Sequence, residues 1–442
     1  MTINPPKNPN YCATVVALEH FKELAGCDRV QAAIIHGNQV IVGKDVKHGD
    51  VGLFFPLETQ LDTLFLRANN LFRDKTQNAD PTKVGYFEPS GRIKAVKFRG
   101  HKSEGFFIPS TCLEYMDATY DYGTMLGAEF DEIDGLEICR KYVPPAVNRG
   151  PAGAPKQGRK AKPEDNIVDG QFHFHIDTEN LRRNIHKINP DDFVSISDKW
   201  HGTSAVFSNV LVKRELTWLE RLAKRFGVAV QESKYGLVWS SRRVVKGVGG
   251  ESKADSVHFY GSDIWGVVAK EIADRIPKGW TLYGEIVGYT PEGKQIQKGY
   301  TYGCEPGKHR FLVYRITVTN EDGKIVELSD LQMREFCDKM ALETLPLLYS
   351  GRARNWVNMP ESVRYDSEFG SILLEQLEHA YIQDGDCTHN PKGTPAEGIV
   401  VRVEKLDEFP AYKLKNYRFL MYETKLLDAG EVDTETVEST EA

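Results

Sequence analysis

The chain has 442 residues, of which 40% are hydrophobic and 27% are charged, a balance typical of soluble globular proteins. This length exceeds what a single hydrophobic core usually supports, so we expect two domains. No apolar run reaches the roughly 18 residues that a membrane-spanning helix needs, and the first residues lack the apolar stretch of a secretory signal. We therefore expect no membrane partner.

Acidic residues are concentrated at the end of the chain. Residues 422–442 contain seven acidic residues and one lysine, whereas the remainder is close to neutral although the whole chain carries a net charge of −7. We interpret residues 422–442 as a disordered acidic tail, because they have too few apolar side chains to form a core. The net charge consequently neither favours nor excludes a nucleic-acid partner.

The seven cysteines are widely separated and form no CxxC pair. This distribution argues against a zinc knuckle and against a disulfide framework. Free cysteines are typical of a reducing compartment, so the sequence favours a cytoplasmic location.

Residues 1–142 are rich in patterns typical of β-strands. Short runs of β-branched and aromatic residues are separated by Gly, Asn and Asp, as in VQAAIIHGNQVIVG at residues 30–43. Several short strands at this spacing predict a small barrel or sandwich. One predicted hairpin carries a basic cluster that is a candidate for phosphate contacts, although a solvated strand face is an equal alternative: Lys94, Lys97, Arg99 and Lys102.

Residues 143–166 interrupt this pattern. They are rich in Pro, Gly and basic residues and offer almost no side chains for burial. We predict a flexible linker. Phosphate contact by its basic residues is the less favoured alternative.

Residues 167–421 mix strand and helix patterns and predict a second domain. After Ser262, helical spacing places Ile264, Val267, Val268 and Ile272 on one face, and the segment SILLEQLEHAYI is also expected to be helical. Another helix is expected near Ser329, where a glutamine three residues later completes a capping box.

The segment ELTWLERLAKRFG, residues 215–227, predicts a short basic amphipathic helix inserted between two strands. We expect its apolar residues Trp218, Leu219 and Leu222 to pack onto the domain.

Lys199 is the first candidate for chemistry, within DKWHGTSAV. A lysine amine becomes nucleophilic when burial or neighbouring cations lower its pKa. The strand pattern FVSIS precedes this lysine, and Gly202 follows it, where a glycine allows close approach of the backbone to a ligand. A surface lysine at a strand end is the alternative that this short motif alone does not exclude.

Further motifs follow Lys199 in a fixed order. They are KWHG at Lys199–Gly202, Ser241-Arg242, Gly284-Glu285, an aromatic strand around Tyr314, Glu397-Gly398 with Arg402, and Lys413-x-Lys415. In this order they resemble the signature of the covalent nucleotidyltransferase superfamily, which comprises DNA ligases, RNA ligases and mRNA capping enzymes. Any one motif is common by chance, whereas six in order are not.

The resemblance implies that Lys199 attacks the α-phosphorus of ATP and releases pyrophosphate. Lys413 and Lys415 would contact the phosphate, and their charge would lower the pKa of Lys199. Alternation along a strand would place both lysines on one face. Without the preceding motifs, a solvated lysine ladder on an edge strand would be the preferred interpretation.

Glu285 and Glu397 are implied to engage the ribose and a hydrated metal, for which we expect Mg²⁺ or Mn²⁺. Arg242 resembles the arginine that orients the RNA 5′-phosphate. Tyr314 occupies the position of the aromatic that stacks on adenine, with Phe311 as the competing candidate. The family usually has Phe-Asp where this chain has Tyr314-Arg315. The expected nucleotide-binding set is Lys199, His201, Gly202, Arg242, Glu285, Phe311, Tyr314, Lys413 and Lys415, and the expected catalytic set is Lys199, Glu285, Glu397, Lys413 and Lys415.

Three features point to the RNA ligases within the superfamily. His201 stands where DNA ligases and capping enzymes usually have Asp. Only 27 residues follow Lys415, too few for the domain that those enzymes usually carry there. The β-rich segment comes first, as in ATP-dependent RNA ligases with an N-terminal OB-like domain.

The implied fold is α+β: an OB-like β-barrel over residues 1–142, the linker 143–166, and a nucleotidyltransferase (ATP-grasp-like ligase) domain of antiparallel sheets with flanking helices over 167–421. The tail 422–442 lies outside the resemblance.

The implied function is ATP-dependent joining of RNA 3′-hydroxyl and 5′-phosphate ends, at nicked duplexes or broken ends, by a cytoplasmic monomer. The reaction would pass through a lysyl-AMP and an adenylylated RNA 5′ end. A DNA ligase or capping-type transferase is the alternative enzyme. An RNA-binding protein with an inactive transferase domain is the alternative from another class.

Overall fold

A computed structural model describes residues 2–117, 121–144, 163–249, 251–252, 259–360, 368–382 and 385–431. The fold is mixed α+β, and nearly all strand pairs in these ranges are antiparallel. Of the helices within them, none combines the length and apolar composition needed to cross a membrane. Residues 2–144 are called the N-terminal part below, and residues 163–431 the C-terminal part.

The N-terminal part consists of short strands in several small sheets. Strand order is β10-β1-β5-β9 in a four-stranded sheet and β2-β3-β4 in a three-stranded one, with pairs β7-β8, β11-β12 and β6-β13. In the described residues these sheets do not close into a barrel. The elements are β1 (Ala13–Ala17), β2 (His20–Lys22), β3 (Val30–Ile35), β4 (Asn38–Gly43), β5 (Val51–Pro56), β6 (Thr59–Leu61), α1 (Thr63–Ala68), β7 (Val96–Phe98), β8 (His101–Ser103), β9 (Gly105–Pro109), β10 (Glu129–Phe130), β11 (Glu132–Ile133), β12 (Leu136–Glu137) and β13 (Cys139–Lys141).

The β3–β4 hairpin illustrates how local sequence forms these strands. Its two turn residues, His36 and Gly37, both have positive φ, at 47° and 70°. This is the conformation of a two-residue turn that matches strand twist, and glycine adopts it without steric cost. Buried side chains alternate along β4, so one face covers the core.

The C-terminal part is built on two larger sheets. One has strand order β14-β26-β25-β15-β24, and the other has β19-β18-β17-β16-β20-β21-β22 with β23 beside β21. The strands are β14 (Glu179–Asn180), β15 (Phe193–Lys199), β16 (Thr203–Lys213), β17 (Ser233–Ser240), β18 (Val245–Val248), β19 (Glu251–Ser252), β20 (Trp280–Gly288), β21 (His309–Thr319), β22 (Ile325–Glu327), β23 (Glu343–Thr344), β24 (Leu347–Arg352), β25 (Gly398–Val403) and β26 (Ala411–Lys415). The helices are α2 (Leu181–Asn184), α3 (Trp218–Arg225), α4 (Ile264–Ile272), α5 (Asp330–Lys339), α6 (Ala353–Trp356), α7 (Phe369–Tyr381) and α8 (Tyr417–Asp428).

The predicted helices of the C-terminal part are present. At α5, Ser329 and Gln332 form the expected capping box, with each side chain bound to the other's backbone N–H. Helix α4 was expected to start near Ser262 and begins at Ile264, because the Asp263 side chain accepts the Gly266 N–H at 2.9 Å and caps the helix. Helix α7 contains the segment SILLEQLEHAY.

Helix α3 corrects one expectation. The helix forms where it was predicted, but its apolar side chains do not pack onto the domain: Trp218 is 72% exposed and Leu219 is 58% exposed. None of its residues is buried. The expected packing was wrong, because the helix lies in the connection between β16 and β17 with its apolar side chains exposed.

Helix α8 differs from the prediction of a disordered tail over residues 422–442. It continues to Asp428, so the prediction of a disordered tail was wrong for residues 422–428. The helix is ordered by contacts with the N-terminal part: Asp428 Oδ1 lies 3.1 Å from Arg92 Nη1, and Thr424 donates to Glu58 at 3.2 Å. The rest of the predicted tail, from residue 432, lies outside the described residues.

The predicted linker 143–166 falls mostly outside the described residues, which omit 145–162. Its last residues, Pro163–Asn166, form a short 3-10 helix. The Lys213 ammonium at the end of β16 donates to the Asp165 carbonyl at 2.8 Å.

Candidate active site

A cavity of about 900 Å³ is lined by both large sheets and by the N-terminal part. Eight of the predicted site residues line it. They are Lys199, His201, Arg242, Glu285, Tyr314, Glu397, Lys413 and Lys415. Residues that are far apart in sequence therefore share one concave site of a size suited to a nucleotide.

Three charged residues meet at one end of the five-stranded sheet. Lys199 ends β15 and pairs in register with Gly398 of β25, which in turn pairs with Lys415 of β26. Glu397 directly precedes β25. As a result, Glu397 Oε1 lies 2.8 Å from Lys199 Nζ and 3.7 Å from Lys415 Nζ. Strand register alone thus brings the carboxylate between the two ammonium groups.

Gly398 permits this arrangement. A Cβ on residue 398 would lie 2.1 Å from the Leu414 carbonyl oxygen, a clash with backbone that no side-chain movement relieves. Its φ of 146° also disfavours other residues. Glycine therefore follows Glu397 for a steric reason.

The Glu397 carboxylate is 3% exposed. Burial by itself would raise the pKa of Glu397, but the charges of Lys199 and Lys415 outweigh burial and hold this pKa below its ordinary value. Its Oε2 is buried and has no hydrogen-bond partner. One oxygen of a charged carboxylate is thus left for a ligand.

Glu285 holds the turn that follows the nucleophile candidate. The Gly202 N–H donates to Glu285 Oε1 at 3.0 Å. A Cβ on residue 202 would meet the Ile286 carbonyl oxygen at 2.4 Å and Glu285 Cγ at 2.8 Å. Gly202 therefore acts through its backbone, and its lack of a side chain lets two strands approach each other.

Tyr302, which sequence reasoning missed, supports the same turn. Its hydroxyl accepts the His201 N–H at 2.6 Å, and its ring stacks on Trp200 with centroids 4.3 Å apart. The His201 ring packs against Tyr300 and Phe419 at 5.0 and 5.1 Å. No signal in the local sequence relates Tyr302 to the KWHG motif, because the contact spans about a hundred residues.

Replacing Tyr302 with phenylalanine is expected to lower the free energy of unfolding by about 1–2 kcal/mol, because the His201 N–H then loses its acceptor in a buried site. Urea unfolding curves measure this loss. Tyr86→Phe is the control, since Tyr86 is 57% exposed. Equal stability of the two variants would contradict the assignment.

The two adenine-stacking candidates occupy different places. Phe311 lies in the apolar core and packs against Phe207 with ring centroids 4.8 Å apart, outside the cavity lining. Tyr314 lines the cavity, where its hydroxyl pairs with His175 Nδ1 at 3.0 Å. Tyr314 sits at a β-bulge, where β20 and β21 shift register between Tyr283 and Gly284. Bulges commonly re-aim a side chain in this way.

Arg242 is held by a residue that the sequence did not single out. Its Nε donates to Asp177 Oδ1 at 3.0 Å, and the other oxygen of Asp177 accepts from Arg243 at 3.0 Å. Burial opposes ionisation of Asp177, but Arg242 outweighs it and keeps its pKa below the ordinary value. Asp177, His175 and Arg242 all line the cavity. The sequence signal for this contact is an acidic residue, Asp177, in the segment FHIDTENLRRN at residues 174–184, shortly before the strand that ends at Lys199.

Arg315 lies outside the site. Its guanidinium is buried and ion-paired with Glu327, with Nε 3.1 Å from Oε1. Arg315, which stands where the Phe-Asp pattern has an acid, therefore forms a structural ion pair with Glu327. Arg402 is also buried, with Nε 3.5 Å from Glu404, but unlike Arg315 it lines the cavity.

The predicted basic hairpin of β7 and β8 does not line the cavity. Lys94 Nζ lies 2.7 Å from Glu88 and 3.1 Å from Asp428 of α8, and Lys102 lies 3.0 Å from Glu104. Arg99 donates to the Gly26 carbonyl at 2.8 Å, whereas Lys97 is exposed. Two of the four cations are thus already neutralised by carboxylates.

The N-terminal part also lines the cavity, which the sequence did not predict. Tyr11 lies close enough to Lys415 and Arg242 for their charges to act on it, and burial raises its pKa to about 12. Lys141 Nζ lies 5.7 Å from the centre of the Tyr11 ring. Tyr11, Lys141 and Glu58 all border the cavity.

Glu58 connects the two parts by accepting from Thr424 at 3.2 Å, and it also pairs with Arg92, whose Nη2 lies 2.7 Å away. Burial raises the pKa of Glu58 to about 7, in spite of Arg92. Between the ordinary pKa of 4.5 and about 7, the folded protein binds a proton here that the unfolded chain has lost. The stabilising contribution is therefore complete below pH 4.5 and is lost as the pH rises through 7.

Glu58→Gln is expected to flatten the fall in stability between these pH values, by about 3 kcal/mol across the interval. Unfolding free energies measured from below pH 4.5 to above pH 7 test this. Parallel curves for the variant and the wild type would rule out the role of Glu58.

The chain resembles known proteins both in sequence and in fold. A family model described as RNA ligase matches residues 192–415, just over half of the chain. The fold is similar to that of Naegleria gruberi RNA ligase. A mutant with AMP and Mn has 15% identity, a TM-score of 0.54, and coverage of 93% of this chain and 98% of that one. A mutant with ATP and Mn has 15% identity, a TM-score of 0.57 and the same coverage. By the family match, this chain belongs to the RNA ligase family.

Proposed function

We propose that this protein is an ATP-dependent RNA ligase that joins RNA 3′-hydroxyl and 5′-phosphate ends through a covalent lysyl-AMP on Lys199. The observation that carries the proposal is the position of the Lys199 ammonium in the large cavity, 2.8 Å from the buried Glu397 and beside Lys415. ATP is the proposed nucleotide, in agreement with the solved relatives that hold ATP or AMP.

In the first step, the Lys199 amine forms a bond to the α-phosphorus while the bond to the pyrophosphate oxygen breaks. The ammonium must lose a proton before it attacks. Its ion pair with Glu397 favours the charged ammonium form of Lys199. Binding of the nucleotide would therefore have to weaken this ion pair, so that Lys199 can become the neutral amine that attacks. Lys413 and Lys415 would stabilise the negative charge that develops on the phosphoryl oxygens.

Glu285 and Glu397 would hold a divalent cation, Mg²⁺ or Mn²⁺. The orphaned Oε2 of Glu397 fits such a role. Within the described part of the chain, no group of three His, Cys, Asp or Glu side chains suits a metal. One or two carboxylates together with substrate phosphates are a usual Mg²⁺ site, so the residues fit a cation that arrives with the nucleotide. When bound, the cation would neutralise phosphate charge.

The remaining nucleotide contacts follow from the cavity lining. Tyr314 is the proposed stacking platform for adenine, because Phe311 packs in the core. His201 would border the nucleotide from its aromatic cluster, and the Gly202 backbone would shape the turn beside it.

In the second step, a 5′-phosphate oxygen of RNA would attack the phosphorus of lysyl-AMP and free the Lys199 amine. In the third, an RNA 3′-hydroxyl would attack the 5′-phosphate and AMP would leave. Arg242, held by Asp177, would orient the 5′-phosphate with a planar, charge-assisted contact. A nick in a duplex is the proposed substrate, since it presents both ends together.

The N-terminal part would act as an OB-like RNA-binding domain over residues 1–142, ahead of an adenylyltransferase domain over 167–421. Its contribution of Tyr11 and Lys141 to the cavity supports contact with the RNA ends. Lys97 and Arg99 would extend that contact outside the cavity, and Lys94 and Lys102 would join them only on release from their carboxylates. Free cysteines agree with a cytoplasmic location.

The proposal is tested by incubating the protein with α-labelled ATP and a divalent cation, then denaturing it. We expect label on the chain with ATP and little with GTP. Nicked duplexes with RNA or DNA 3′ ends then separate the classes of ligase, and sealing is expected with an RNA 3′ end. Label from GTP alone would indicate a capping-type transferase, and the absence of any label would indicate an inactive site.

A further inference from the structure

Helix α3 presents an apolar face to solvent. Trp218 and Phe226 are 72% and 78% exposed, and Leu222 between them is 44% exposed. The helix does not depend on packing for its order, because Thr217 and Glu220 form a complete capping box and Glu220 pairs with Arg214. It is thus held in place from its ends, with its apolar face left open.

The face combines aromatic rings with cations. At 3.6 residues per turn, Trp218, Leu222 and Phe226 lie on one face, while Arg221 and Arg225 lie along its edge beside Trp218. Residues 213–234 contain six basic and three acidic side chains, in a chain whose net charge is −7. Arg214 and Lys224 are ion-paired with Glu220 and Glu232, so the complementarity of this face to a polyanion rests on Arg221 and Arg225.

Helix α3 follows the end of β16 that is remote from the cavity, and none of its residues lines the cavity. Ser204 near the start of β16 lines the cavity, and Lys213 ends the strand. At about 3.4 Å per residue, the two ends of β16 are roughly 30 Å apart. A ligand on α3 would therefore belong to a part of the substrate remote from the ends that are joined.

We infer that the face formed by Trp218, Leu222, Phe226, Arg221 and Arg225 binds an unpaired stretch of the RNA substrate. The inference rests on RNA as the substrate of the proposed function. Bases stack on exposed aromatic rings irrespective of sequence, and neighbouring arginines contact the phosphates, which is how single-stranded RNA is commonly bound. A two-turn helix offers much less than the roughly 800 Å² per partner of a stable dimer interface.

The test compares two RNA probes on the full-length protein. One is a nicked duplex with a single-stranded tail, and the other is the same duplex with blunt ends. We expect Trp218→Ala/Phe226→Ala to weaken binding of the tailed probe by about tenfold or more, and to leave the blunt probe and adenylate formation unchanged. The matched control is Leu331→Ala/Leu406→Ala, which removes side chains that are 66% and 67% exposed.

A second variant, Arg221→Glu/Arg225→Glu, is expected to bind the tailed probe more weakly as well, and with a reduced dependence on salt. Equal affinity of wild type and both variants for the tailed probe would overturn the inference. The inference would also be overturned if the variants lost binding to phosphatidylserine vesicles, or lost self-association on gel filtration, while their affinity for RNA stayed unchanged. Absence of the adenylate in wild type would instead contradict the proposed function, so the two failures are distinguishable.

Discussion

Lys199→Ala is expected to abolish the covalent adenylate, with labelling at least about a thousandfold below wild type. Lys199 supplies the amine that becomes bonded to AMP, and an alanine has no nucleophile to replace it. Gel separation of the denatured protein after reaction with α-labelled ATP measures the loss. Lys324→Ala is the matched control, because Lys324 is an exposed lysine of the C-terminal part.

The same variant separates the steps of the reaction. When it is supplied with RNA that already carries a 5′-adenylate, the third step no longer needs the lysine nucleophile. We therefore expect joining of that RNA to persist while joining from ATP is lost. Undiminished label on Lys199→Ala would refute the assignment of the nucleophile.

Glu397→Gln is expected to reduce adenylate formation about a hundredfold. Glutamine keeps the shape of the side chain but removes the charge that faces Lys199 at 2.8 Å and Lys415 at 3.7 Å. The proposed cation would also lose a ligand, so the cation concentration for half-maximal labelling should rise. Glu375→Gln, an exposed acid on α7, is the matched control.

Glu397 also has a consequence for stability. Because its pKa is lowered in the folded protein, its contribution is present above the ordinary pKa of 4.5 and is lost as the pH falls through the folded value. Removing one partner of a buried pair costs about 3 kcal/mol. Unfolding curves should therefore show wild type more stable than Glu397→Gln at pH 7, and the two should converge in acid. A constant difference at all pH values would contradict this account.

Some of the site could be predicted from sequence because its elements are local. Lys199 follows a strand pattern, Glu397 is followed by a glycine that the fold requires, and Lys413 and Lys415 alternate along one strand. Their order along the chain indicated a common site, and all four line one cavity. The α5 capping box was predictable for the same reason, since a cap depends only on residues three apart.

Other features depended on pairings between distant residues. The bulge that distinguishes Tyr314 from Phe311 arises from the register of β20 against β21. Asp177 and Tyr302 act through hydrogen bonds to residues that are remote in sequence. Likewise, neither the hairpin lysines paired with carboxylates nor the contribution of Tyr11 to the cavity has a local signature.

The sequence by itself determined which residues could perform the chemistry and on which elements they lie, because periodicity and caps act over one or two turns of backbone. Only the tertiary structure decided which of them face one another, since strand register and burial depend on the whole packed chain. Helix α3 shows the difference most clearly. Its amphipathic pattern predicted the helix, and the fold alone decided that its apolar face remains in water.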